Sequence, residues 1–232
     1  MMKLIQSNSI GRLHELVVEY ILEKGCEILT EDGAATLETD AVTLFTKTPL
    51  DEPMINTKSP IHSDFANTYA HNLVHGSESN FEYDYHTRLF DWGKNSSVDV
   101  YRTDQIQYII DKLAVEPNSR RAQAITWIPP DDVKLRDCPC LQHIQCKIRD
   151  NELHMSVVFR SNDMLLGAGA NMYALVHLQK HILDKINLKN DSNLTMGSYT
   201  HIALIPHIYV DRDIDELKTK YKYVRIKRNN LK

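Results

Sequence analysis

The chain lacks any apolar run near the roughly 20 residues that a bilayer-spanning helix needs. Its opening, MMKLIQSNSIGRLHE, also lacks the apolar stretch of a secretory leader. Membrane insertion and export are therefore not expected, and a cytoplasmic location is. Cysteine is scarce: Cys26, Cys138, Cys140 and Cys146 are the four in 232 residues, too few for a disulfide scaffold, and they read as thiols. An excess of one charge is lacking as well. The 27 basic side chains against 31 acidic ones leave a net charge of −4, which removes the electrostatic ground for a nucleic-acid or membrane-surface partner. With no internal repeat, low-complexity segment or linker, the 42% hydrophobic content reads as one core and residues 1–232 as a single domain.

What is present is periodicity. Leu13, Leu16, Val17, Tyr20 and Ile21 recur at helical spacing ahead of Gly25 and predict a helix over 10–24. The Thr-rich stretch 37–46 reads as a strand. Ile106, Ile109, Ile110 and Leu113 form the buried stripe of a second helix, with Thr103 as its N-cap and Pro117 just past its end. An extended stretch over 122–127 stops at Pro129-Pro130, and 142–148 with 153–160 read as antiparallel strands about Asp150-Asn151. Gly167-Ala168-Gly169-Ala170 opens a third helix bearing Leu175, Leu178 and Ile182. A late strand covers 199–210, and a short charged helix starts near Asp211. Helices and strands mix without regular alternation, which predicts an α+β fold, or an irregular α/β one, rather than a doubly wound sheet.

Cys138-Pro139-Cys140 with Cys146 offers three thiols, but the second half of a tetrahedral zinc site is absent, so no metal is expected. The plain alternative is a set of small buried hydrophobes. Ser119-Arg120-Arg121 lies about twenty residues before Cys140, and Arg160-Ser161-Asn162-Asp163 lies twenty after it. Guanidinium groups can hold a phosphate in fork geometry and lower a thiol's pKa. On spacing alone, solvated or structurally paired arginines explain them equally well.

The order of these segments settles on a resemblance. Pro139-Cys140-Leu141-Gln142-His143-Ile144-Gln145 resembles the P-C-x4-Q segment around the nucleophile of thymidylate synthases, and Ser119-Arg120-Arg121 resembles their arginine pair. Arg160-Ser161-Asn162-Asp163 followed by Leu166-Gly167 resembles their R-S-x-D-x-x-L-G run. In the same register Asn171 falls on the family's base-reading asparagine, and His207-Ile208-Tyr209 resembles its H-x-Y. The resemblance covers about 85–209.

It implies a thymidylate synthase-like catalytic domain: a large mixed sheet with helices on one face, its back packed against a second copy in a homodimer. It implies transfer of one carbon to C5 of dUMP, giving dTMP, with methylene-tetrahydrofolate or methylene-tetrahydromethanopterin as donor. By resemblance Cys140 adds to C6 of the pyrimidine, Asp163 bonds the pyrimidine edge and the pterin, and Tyr85 joins the proton-transfer network. Arg160 and Ser161 bind the phosphate, and Arg120 and Arg121 reach it from the partner subunit. Gln145 and Gly167 belong to the substrate-binding segments, and His207 and Tyr209 hold the sugar hydroxyl. Asn171 can donate and accept at once, which matches the N3–H and O4 edge of uracil, whereas a carboxylate suits cytosine. A 5-hydroxymethylase acting on dUMP, dCMP or CMP uses the same covalent intermediate. A non-catalytic nucleotide- or nucleic-acid-binding protein is the rival from another class, motivated by the basic tail over 218–232.

The sequence also departs from the family. Leu141 stands where a histidine commonly follows the nucleophile. The segment 64–80 has no glutamate in the register of the family's catalytic one, and Glu31-Asp32-Gly33-Ala34 lacks the arginine of its N-terminal phosphate loop. The end of the chain, Lys222 to Arg228, is basic rather than apolar. A preserved nucleotide half beside an altered cofactor half points to a donor other than ordinary folate.

Overall fold

The computed structural model describes residues 2–77 and 84–225. Its elements run β1 (Lys3–Gln6), α1 (Ile10–Lys24), β2 (Cys26–Leu29), β3 (Ala35–Glu38), β4 (Val42–Thr46), α2 (Ser63–His75), α3 (Tyr85–Phe90) and α4 (Gln105–Val115). There follow β5 (Gln123–Ile125), α5 (Pro129–Asp132), β6 (Leu141–Arg149), β7 (Glu152–Phe159), β8 (Asn162–Asp163), α6 (Ala168–Asn190), β9 (Thr195–Ala203), β10 (Pro206–Tyr209) and α7 (Ile214–Tyr221). They form a six-stranded mixed sheet in the order β1-β4-β9-β7-β6-β5 and a four-stranded sheet in the order β2-β3-β10-β8. This is the α+β class the sequence predicts.

Local chemistry explains the main elements. Ser9 caps α1 by accepting from the Arg12 N–H, and the Ile10, Leu13, Val17 and Ile21 stripe is buried. Helix α4 starts one residue later than predicted: Asp104 accepts from the Gln107 N–H at 2.8 Å, while Thr103 pairs with Trp92 in an isolated bridge. A carboxylate makes the better acceptor at a helix N-terminus. The β6–β7 hairpin turns through Asp150 (φ 51°) and Asn151 (φ 61°), residues that tolerate the left-handed region that a tight two-residue turn requires. Alternate residues of β7, Leu153, Met155, Val157 and Phe159, are buried. Helix α6 lies against β7 and β9 and carries α1, α2 and α4 on its flanks. The sheet's alternate positions, among them Phe45, Val158 and Ile202, are only half-buried.

Two predicted strands divide, for one reason. The stretch 37–46 becomes β3 in the small sheet and β4 in the large one, and 199–210 becomes β9 and β10 in the same way. Between β7 and β8 the chain makes the same passage. The sheets therefore meet at a corner where the Leu204 N–H donates to the Phe159 carbonyl at 2.9 Å and the Asn162 N–H to the Ile205 carbonyl at 3.1 Å. The charged helix after 211 begins only at Ile214, because Arg212 and Asp213 are engaged at this corner.

Candidate active site

Cys140 sits just before β6, half-buried, at the end of the loop that follows α5. Arg160, just past β7, clamps that loop. Its Nη2 donates to the Cys138 carbonyl at 2.6 Å, its Nε to the Pro139 carbonyl at 3.0 Å, and its backbone N–H to the Cys140 carbonyl at 2.9 Å. The Tyr85 hydroxyl accepts from the Leu141 N–H at 3.0 Å. Burial pushes the Cys140 thiol above its ordinary pKa, and the Arg160 charge pulls it back only in part. The guanidinium does lower this thiol as expected, but loss of hydration outweighs one nearby charge, so the net shift is upward rather than toward the thiolate. Cys146 is fully buried and pushed up to about 12, a core residue rather than a fellow ligand. Among the described residues no group of three or more His, Cys, Asp or Glu is placed to hold a metal.

Asp163 is fixed on both oxygens. Oδ1 accepts from the Leu165 and Leu166 N–H groups at 3.1 Å each, and Oδ2 accepts from Arg212 Nη2 at 2.6 Å. Arg212, which the sequence did not single out, also grips Asp213 through two donors and stacks over the Tyr209 ring at 4.5 Å. The His207 ring meets Tyr209 edge-on at 5.2 Å, and its Nδ1 lies 3.3 Å from Ser161 Oγ. Residues from β8, β10 and the connection after β7 therefore converge at the sheet corner. Their partners become visible only once the strands are assigned to two sheets.

Gly167 sits directly before α6. Its N–H donates to the Asp163 carbonyl at 3.0 Å and its own carbonyl accepts from the Asn171 N–H at 2.9 Å. A Cβ there would stand 3.0 Å from that Asp163 oxygen, so a larger residue would displace the turn. The Asn171 side chain accepts from Asn162 Nδ2 at 3.1 Å and donates to the Tyr69 hydroxyl at 3.0 Å. Tyr69, on α2, is a second residue that the sequence did not reveal. It lines a small pocket with Tyr85, Leu141, Phe159 and Asn171, and the charge of Cys140 acts on it.

Three predicted residues stand apart from this cluster. Gln145 donates to the Ala122 and Cys146 carbonyls at 2.9 and 3.1 Å, a tie to the edge strand. Arg120 and Arg121 are exposed. Because Gln123 pairs with Gln145, Arg121 lies beyond the middle of β6, on the order of 20 Å along the strand from Cys140. The loop between β2 and β3, where the family's arginine is missing, instead presents Asp32 to Arg136 at 2.6 Å.

Cys140, the Arg160 that clamps its loop, the doubly fixed Asp163 and the Asn171–Tyr69 pair thus gather at one corner of the two sheets. The thymidylate synthase family model matches residues 18–230. A chain of Methanocaldococcus jannaschii, provisionally named a thymidylate synthase, is 37% identical over 220 residues, covering 92% of this chain and 94% of that one. A chain of Methanosarcina barkeri with the same provisional name is 40% identical over 158 residues, covering 67% and 66%. The thymidylate synthase of Bacillus subtilis subsp. natto is 32% identical over 125 residues, covering 54% and 42%. The chain belongs to the thymidylate synthase family. Membership makes it a methyltransferase and implies a pyrimidine nucleotide substrate and a folate-type one-carbon donor.

Proposed function

We propose that the chain, as one catalytic domain over residues 1–232, methylates dUMP to dTMP through a covalent adduct of Cys140. The observation that carries this reading is the convergence of Cys140, Arg160, Asp163 and the Asn171–Tyr69 pair at the sheet corner. Arg160 and Ser161 bind the phosphate beside the nucleophile, and its dianion in turn offsets the Arg160 charge. His207 and Tyr209, on β10, hold the sugar hydroxyl. Asn171 reads the N3–H and O4 edge of uracil with the lone pair and hydrogen that Asn162 and Tyr69 leave unused. The Cys140 sulfur adds to C6, breaking the C5–C6 double bond and making C5 nucleophilic. Tyr85, bound to the Leu141 N–H, holds the strand that presents the thiol.

The donor set suits a pterin: the Asp163 carboxylate gives two lone pairs of Oδ1 to Leu165 and Leu166 and one of Oδ2 to Arg212, and the remaining one would accept from an amino-pyrimidine edge. When bound, the methylene-tetrahydropterin supplies the one-carbon unit and the hydride. The altered cofactor half favours tetrahydromethanopterin over tetrahydrofolate. Arg120 and Arg121 lie too far along β6 to reach the phosphate of their own subunit and act across a homodimer. The half-buried sheet face bearing Phe45, Val158 and Ile202 supports that packing.

The test is tritium release from [5-³H]dUMP with each methylene pterin, alongside Cys140→Ala. Release by the native chain that the alanine abolishes is expected, with dTMP by product mass and with dCMP inert. Release that survives the substitution would sink the reading, and a hydroxymethylated product would replace its final step.

A further inference from the structure

Five side chains form one hydrogen-bonded line from Tyr199 in the core to Tyr69 on α2. The His201 Nε2 lies 2.8 Å from Asn162 Oδ1, so the proton is on Nε2 and Nδ1 accepts from the Tyr199 hydroxyl at 3.1 Å. Asn162 Nδ2 then donates to Asn171 Oδ1 at 3.1 Å, and Asn171 Nδ2 donates to the Tyr69 oxygen at 3.0 Å. Every donor points the same way. The line holds that direction because His201 is fully buried and its pKa is pushed down to about 3, which keeps the ring neutral with a single N–H. Tyr69 is therefore a receiver in this line and keeps its own hydrogen for a further acceptor, close enough to Cys140 for the two groups to act on each other electrostatically.

We propose that Tyr69 is a catalytic residue: it donates a hydrogen bond to O4 of the bound uracil as Cys140 adds to C6. The proposal rests on the reading of the site given above. When the C6–S bond forms, the C5–C6 π electrons pass through C4 onto O4, where negative charge appears. The Tyr69 O–H and the second hydrogen of Asn171 Nδ2 are two fixed donors for that oxygen, an arrangement that stabilises charge only as it develops. When C5 attacks the one-carbon unit, the C4–O4 double bond returns and the proton stays with Tyr69. Burial raises the Tyr69 hydroxyl to about 12, so the group enters the reaction as a donor and not as a base. Helix α2 covers residues 63–75, the larger part of the segment in which no glutamate matches the family's catalytic one, and Tyr69 is what this helix presents to Asn171.

The experiment measures tritium release from [5-³H]dUMP by the native chain and by Tyr69→Phe, with calorimetric binding of dUMP to each. We expect kcat to fall by about 100-fold or more while dUMP affinity changes little. An undiminished rate in Tyr69→Phe, with the native chain active, overturns the role of Tyr69 alone. A native chain silent with both pterins removes the underlying reading and this inference with it. Should Tyr69→Phe fail to fold, fluorotyrosine at position 69 keeps the ring and hydroxyl while lowering its pKa. The alkaline limb of kcat should then move to lower pH, and an unmoved limb would overturn the proposal.

Discussion

The backbone N–H of Arg160 donates to the carbonyl of Cys140 at 2.9 Å, and the Arg160 side chain spends two donors on the same loop. The arginine thus fixes the position of Cys140 through the backbone of its own loop. Its charge reaches the thiol only as a partial offset to burial.

Alkylation of Cys140 therefore depends on Arg160. In the ligand-free chain, iodoacetamide labelling of Cys140 should rise through a midpoint above the ordinary thiol value, because burial disfavours the thiolate. Arg160→Met should move the midpoint further up. Site-resolved mass spectrometry across a pH series checks this, and a lower midpoint in the variant would contradict it.

Base choice should change at Asn171. An aspartate there still accepts from Asn162 and, in place of donating to Tyr69, can accept from its hydroxyl, so the fold tolerates it, but its carboxylate no longer donates to O4. Asn171→Asp should lose on the order of 10²-fold or more in kcat/KM for dUMP and gain turnover of dCMP. Steady-state kinetics on both nucleotides decides the matter.

Arg212 ties Asp163 to Tyr209, and Arg212→Met removes both the ion pair and the charged stacking partner. Its exposed side-chain edge limits the structural cost. The expected effect is a rise of about 10-fold in KM for the pterin, equivalent to roughly 1.4 kcal/mol, with KM for dUMP less affected. Equal changes in both constants would argue for general loosening of the corner.

The Arg88–Asp132 pair is buried, with Nη2 to Oδ1 at 2.6 Å, and Arg88 also donates to the Thr126 carbonyl at 3.2 Å. Among the described residues, Arg88→Met leaves the Asp132 carboxylate with the Ile128 N–H as its one hydrogen-bond donor. A loss of about 3–5 kcal/mol in unfolding free energy is expected, measured by denaturant titration.

Stability should fall in acid through His201. Its folded pKa of about 3 lies below the value of 6.5 for a free side chain, so the unfolded chain takes up the proton first. The contribution is complete above about pH 6.5 and is lost between 6.5 and about 3, at about 1.4 kcal/mol per pH unit. Burial of His14 adds in the same sense. His201→Phe should flatten the slope of unfolding free energy against pH over that range.

The long elements were legible in the sequence because their signals are local. The stripe of α1, the β6–β7 hairpin with its Asp150-Asn151 turn and the small-residue start of α6 each follow from neighbours a few positions apart. The motif residues Cys140, Arg160, Asp163 and Asn171 could likewise be named from their order along the chain. The division of 37–46 and 199–210 between two sheets was not legible, since a strand carries no local mark of which sheet it joins. Nor were Tyr69, Arg212 and His201. Tyr69 meets Asn171 across 102 positions of chain and Arg212 meets Asp163 across 49, contacts made only when the sheets meet and α2 packs on α6. Sequence alone determined which side chains are candidates for the chemistry. The tertiary structure decided which are buried, which way their hydrogens point, and whether burial or a neighbouring charge governs the thiol, because desolvation and hydrogen-bond direction depend on surroundings that distant segments supply.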